Sequence, residues 1–276
     1  MPTPRAIDLL ADLLSQPEGA WSLADGALAV AHVETPDCDV EMARSQLEAL
    51  GKAARNQLGD ATHPRFAAAA VSRVLFLEKG YRGCTDAEEA PDMAMLDVML
   101  RTRVGTPNLL SILFVETARR AGLRFSGVSL PGRYLLRQDH GDQFFLFDPQ
   151  AGGKPVSIEQ CKELVSSATG RRIEFREAFL RPLTNAQMLA RLVAHLKSIY
   201  WRAGAHERAL LTVRMLLTIR PDDPREIRDQ GRLYYLMGRL PEAISAFESY
   251  LHHNPRGEDA EAVRVLLLEA RASLGP

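Results

Sequence analysis

The chain has 276 residues, with 34 Lys+Arg against 35 Asp+Glu, a formal charge of −1 and 46% apolar residues. That length suits one large domain or two ordinary ones, and the composition is globular, neither disordered nor fibrous. A charge near zero gives no field to gather nucleic acid or anionic lipid, so binding to either is not expected.

Residues 1–80 read as a helical lobe, with Ile7, Leu10, Leu13 and Leu14 at helical spacing and an Ala-rich run after Pro64. The polar stretch from Gly83 to Pro91 reads as loop. Pro107-Asn108 then opens a helix with Leu110, Leu113, Phe114 and Ala118 on one face, ending at Gly122. Strand material follows as GVSL, RYLLR and QFFLFDP, with His140-Gly141-Asp142 as a hairpin turn. Asp148-Pro149 closes the last strand, and Gly152-Gly153 reads as a turn, since no helix-opening phosphate motif surrounds it. Arg181 to Asn185 reads as a linker with a helix N-cap at its end.

The last third repeats itself. Tyr200, Gly204, Ala209 and Pro221 recur as Tyr234, Gly238, Ala243 and Pro255, each 34 residues on. That period and pattern resemble the tetratricopeptide helix pair, in which a small Ala lets two helices approach and Gly takes the turn. Two units cannot bury their own faces. The helix DAEAVRVLLLEARASL is expected to cap one end. The stripe Leu189, Leu192, Val193, Leu196, Ile199 and Tyr200 is expected to dock the other end on the preceding domain.

A helix followed by antiparallel strands, closed by an Asp, resembles the core of the transglutaminase-like (papain-type) superfamily. More closely, residues 90–153 resemble the bacterial SirB-type family, a transglutaminase-like domain fused to tetratricopeptide repeats. The matching residues are Leu96-Asp97-Val98, Gly105-Thr106-Pro107, Ala118 to Leu123, Gly127-Val128, Leu130-Pro131-Gly132, Asp148-Pro149 and Gly152-Gly153. In the repeats, Leu196 to Tyr200 and Arg228 to Gly231 fit as well. The resemblance implies an α+β fold, with a helical lobe and transglutaminase-like core over 1–180 and an all-α repeat pair with capping helix over 185–276.

The superfamily's chemistry uses a Cys at the helix start, a His on the next strand as base, and an Asp that orients the imidazole. By the resemblance, Pro107 stands at the nucleophile position and Arg133 at the base position, leaving Asp148 of the triad. Proline carries no nucleophile, and a guanidinium cannot accept a proton. An Arg opposite an Asp on paired strands is expected to form a bidentate ion pair.

The expected function is therefore that of a non-catalytic protein in the bacterial cytoplasm, holding a protein or peptide ligand. The candidate cleft consists of Gly105, Asn108, Arg133, Tyr134 and Asp148, with no metal and no cofactor. Cys38, Cys84 and Cys161 form neither a disulfide framework nor a metal clamp, and the histidines lack metalloprotease spacing. The N-terminus has no apolar signal core, and no run of about 20 apolar residues could span a membrane. The alternative is a hydrolase or acyl-transfer enzyme with a relocated site near Asp148, using Arg133 as an oxyanion or carboxylate binder, and Cys84 or a histidine within hydrogen-bond reach of Asp148 would favour it.

Overall fold

The computed structural model describes residues 5–61, 63–169 and 173–274. Its contacts divide the chain into two compact units, Gln16–Leu192 and a second made of Met1–Ser15 with Val193–Pro276. Among the described helices, none is long and apolar enough to cross a membrane.

In the second unit, α1 (Arg5–Leu14) packs on α9 (His206–Ile219), and Leu10 is fully buried there. This differs from the sequence boundaries of 1–180 and 185–276. A helical stripe shows that a helix buries one face, but not what covers it. The linker also ends one residue early. Thr184, not Asn185, caps α8 (Asn185–Arg202) through a reciprocal box in which Gln187 N–H donates to Thr184 Oγ1 at 3.1 Å and Thr184 N–H to Gln187 Oε1 at 3.0 Å. α8 itself begins in the first unit and ends in the second.

The first unit opens with α2 (Leu23–Ala31), α3 (Val40–Leu58) and α4 (Pro64–Ser72), the last running on into a π-helical turn over Arg73–Glu78. A short parallel pair, β1 (Arg82–Gly83) and β2 (Val104–Gly105), brackets α5 (Leu96–Thr102). Next comes α6 (Pro107–Arg120), which matches the helix expected from sequence but is not amphipathic. Leu109, Leu110, Ile112, Leu113, Phe114, Val115 and Ala118 are all buried, and so are Asn108, Ser111, Glu116 and Thr117. A helix apolar nearly all round belongs inside a domain. At Gly51 of α3, an added Cβ would come within 2.3 Å of Arg120 Cβ, so the close approach to α6 depends on that glycine.

The sheet is antiparallel in the order β3 (Ser126–Leu130), β4 (Arg133–His140), β5 (Gln143–Asp148), β6 (Lys154–Val156). Pro131-Gly132 turns β3 into β4 with Gly132 at φ 74°, and Gly141-Asp142 makes the expected hairpin. Alternation along the strands gives the sheet two buried faces. Leu136 pairs with Phe147 on the α6 side, where Phe147 meets Phe125 at 5.9 Å and Phe125 meets Phe114 at 5.2 Å. Val128, Leu130, Leu135 and Leu146 face the other way, onto Cys161 and Val165 of α7 (Ile158–Thr169) and onto Leu180.

The repeats are α8 with α9, then α10 (Pro224–Leu236) with α11 (Leu240–His253), followed by α12 (Ala260–Leu274) packed on α11. Ala209 and Ala243 are fully buried, and Gly204 and Gly238 turn the chain at φ 68° and 71°. Inside the second pair, a Cβ on Gly231 would meet Phe247 at 2.5 Å, which explains the two motif residues together. Lys197, which replaces glycine in the first pair, donates to Glu226 at 2.6 Å and to Asp229 at 2.9 Å. That substitution exchanges close packing for an ion pair to α10.

Candidate functional site

The start of α6 is assembled from backbone. β2 delivers Gly105, where a Cβ would lie 2.8 Å from Met99 Sδ. Thr106 N–H donates to Met93 O at 2.8 Å, and Pro107 occupies the first helical position, where its missing N–H costs nothing. Thr106 is fully buried, and its hydroxyl has no hydrogen-bond partner among the described residues. Asn108 Nδ2 donates to Arg191 O at 3.3 Å, so it serves α8 instead of capping its own helix. The Arg191 guanidinium also lies 5.8 Å from the centre of the Tyr134 ring. Gly105, Asn108 and Tyr134 therefore gather around the start of α6.

Arg133 and Asp148 lie elsewhere. Asp148 shares the face of Leu146, and Arg133 that of Leu135, so both project toward α7 and away from α6. The five candidate residues thus fall on two sides of the sheet and not in one cleft. The reason is a one-residue matter, because adjacent strand positions point to opposite faces.

Arg133 and Asp148 do pair, though not as a two-oxygen fork. Arg133 Nε and Nη2 both donate to Asp148 Oδ2, at 3.0 and 2.7 Å. Asp148 Oδ1 accepts from Gln150 N–H at 2.9 Å and from Ala151 N–H at 3.2 Å, capping the short turn Pro149–Ala151. Behind it Gly153, at φ 74°, sits so close to Ser72 that a Cβ would meet Oγ at 1.9 Å. The Asp148 side chain is 6% exposed and the Arg133 side chain 29%. Beside them lies a cavity of about 450 Å³ lined by Asp148, Lys154, Val156, Gln160, Leu164 and Ser167, among others.

Burial raises each of the three thiols. Cys161, fully buried on α7, is the one whose thiol senses Asp148. Burial first, then the charges of Asp148 and Glu159, push it up to about 11. Sequence reasoning missed this neighbour, since nothing local ties residue 161 to 148. Cys84 N–H donates to Gly105 O at 2.8 Å, which places this cysteine's backbone beside the start of α6. Its thiol is raised by burial and by Glu89 and Glu88. Cys38 Sγ lies 3.9 Å from His32 Nδ1, but that nitrogen is engaged with Pro36 O at 2.9 Å, and burial, Asp97 and Asp39 raise the thiol. Among the described residues, no group of three or more His, Cys, Asp and Glu side chains could hold a metal.

The family model of the transglutaminase-like superfamily matches residues 41–194, more than half of the sequence, and a tetratricopeptide-repeat model matches residues 196–268. The chain belongs to the transglutaminase-like superfamily. Its relatives include a UPF0162 protein of Xylella fastidiosa, 29% identical over 90% of this chain and 89% of that one. Another, from Vibrio cholerae, is 27% identical over 89% of this chain and 91% of its own length. These matches bear out the SirB-type resemblance and the α+β core followed by repeats. Within the transglutaminase-like domain, Pro107 at the start of α6 and Arg133 on the α7 face lie on opposite sides of the sheet.

Proposed function

We propose that this protein is a non-catalytic scaffold of the bacterial cytoplasm, a transglutaminase-like pseudoenzyme that holds a protein or peptide. The observation that carries this reading is the occupancy of Asp148. In a working triad the carboxylate orients an imidazole. Here Oδ2 takes two N–H groups of Arg133 and Oδ1 takes two backbone N–H groups, and Arg133 cannot serve as base. The carboxylate is used for architecture. The tetratricopeptide pair supports the binding half of the reading, because stacked helix pairs present extended surfaces suited to polypeptides.

Turnover assays on the full chain test it. Dansylcadaverine incorporation into casein, and peptidase and amidase substrates, should show no saturable rate above a heat-inactivated control. A saturable rate abolished by Asp148→Ala would overturn the reading. A second reading, a relocated acyl-transfer site, is favoured by the position of Cys84 beside Gly105. A rate abolished by Cys84→Ser and untouched by Asp148→Ala would select it.

A further inference from the structure

A second cavity in the first unit, about 630 Å³, lies away from the Arg133–Asp148 pair. It opens on the α7 face of the sheet at the level of Arg137, about 13 Å along β4 from Arg133 at roughly 3.3 Å per residue. That volume falls in the ordinary range for small-molecule sites, about 300–1,000 Å³. Its apolar wall is Phe144, Ile158, Phe175 and Leu180. Its charged lining is Arg137, Lys162 and Arg181 against a single carboxylate, Glu177.

The three cations are not equivalent. Arg137 is locked in place: Nε donates to Asp139 Oδ1 at 2.8 Å, Nη1 donates to Leu180 O at 2.9 Å, and the guanidinium sits 4.1 Å from the centre of the Phe144 ring. Lys162 and Arg181 have no ion pair with any described residue, so their charges are available to a ligand. An apolar wall beside two uncommitted cations fits a molecule that is oily at one end and anionic at the other. A bare anion would leave the wall unused, and a neutral hydrocarbon would leave the charges unused.

We infer that this cavity binds a compact organic carboxylate, its apolar body against Phe144, Ile158 and Phe175 and its carboxylate between Lys162 and Arg181. Such a carboxylate comes either from a free organic acid or from the C-terminus of a peptide ending in an apolar residue. The inference does not rest on the scaffold reading, since a ligand here touches none of the degenerate triad positions.

Calorimetric titration of the full chain tests it with five probes: 4-phenylbutanoate, 4-phenylbutanamide, acetate, and acetyl-Ala-Ala-Phe with a free or an amidated C-terminus. At least one of the two large carboxylates should bind saturably at one site, tenfold or more tighter than its own amide and than acetate. Lys162→Gln with Arg181→Gln should weaken it at least tenfold, while Lys79→Gln, an exposed lysine outside the lining, should not. Both lining residues are exposed, so the double variant should melt like the parent. Binding of the acid alone assigns the site to a free organic acid, and binding of the peptide alone assigns it to a chain terminus. Failure of both carboxylates to saturate, equal binding of acid and amide, or an unchanged affinity in the double variant would each overturn the inference.

Discussion

Glu116→Ala is expected to lower the stability of the transglutaminase-like domain by about 3–5 kcal/mol, the cost of removing one partner from a buried ion pair. Glu116 is the charged residue at the centre of α6, with its side chain 1% exposed. Its Oε1 accepts from Leu23 N–H at 3.0 Å, satisfying a donor at the start of α2 that has no partner within its own helix. Its Oε2 accepts from Arg119 Nη2 at 3.1 Å and from Arg120 Nη1. Arg119 is 53% exposed and can turn to water, whereas Arg120 is 7% exposed and would keep only Glu48 and the backbone carbonyl of residue 116. Glu116→Gln should cost less, because an amide oxygen still serves Leu23 N–H. The check is urea denaturation of the full chain, reading the transition reported by a probe in residues 16–192, since two units need not unfold together. A loss below about 1 kcal/mol for Glu116→Ala would mean that the network is replaced by water at little cost.

The Arg133–Asp148 pair gives the second large effect. Asp148→Ala removes both the ion pair and the cap on Pro149–Ala151, and a lost cap alone costs about 0.5–2 kcal/mol. The pair is only partly buried, so its share lies between the 3–5 kcal/mol of a fully buried pair and the roughly 0.2–1 kcal/mol of an exposed one. Asp148→Ala should therefore destabilise by about 2–4 kcal/mol, and Arg133→Ala by about 1–2. The double variant should be less damaged than their sum by about 1 kcal/mol. Asp148→Asn keeps an Oδ1 acceptor for Gln150 and Ala151 and should fall between the parent and Asp148→Ala. Strict additivity in denaturant melts would show that the two side chains do not interact in solution.

Much of this architecture was legible because it is local. The 34-residue offset marks buried positions, from Ala209 with Ala243 to Tyr200 with Tyr234. The turn at Gly141 requires a backbone form that few residues adopt, so it announces itself. The pairing of Arg133 with Asp148 followed from strand order. What was not legible depends on contacts far apart in sequence. Periodicity marked one face of α6, but the helix is buried all round, and its one internal charge reaches Leu23, 93 residues upstream. β6 is three residues with a central Pro155, too short to carry an alternating pattern. The candidate cleft was drawn from positions that the family resemblance implies, without regard to strand parity, and neighbours such as Arg133 and Tyr134 necessarily point to opposite faces.

The central claim is that this transglutaminase-like domain carries no activated nucleophile, and site-resolved alkylation of its cysteines tests that most directly. A catalytic thiol is held partly as thiolate at neutral pH and so reacts early in a pH series. Here burial and neighbouring carboxylates raise all three thiols. Cys161, at about 11, would be ionised to only about one part in ten thousand at pH 7. Iodoacetamide labelling of the native full chain, read by mass spectrometry at each pH, should give Cys38 and Cys84 rates below that of free cysteine at pH 7, still rising beyond pH 8.5. Cys161 should stay unlabelled until the domain unfolds. A cysteine that labels faster than free cysteine, with a rate already level at pH 7, would contradict the account and identify the nucleophile.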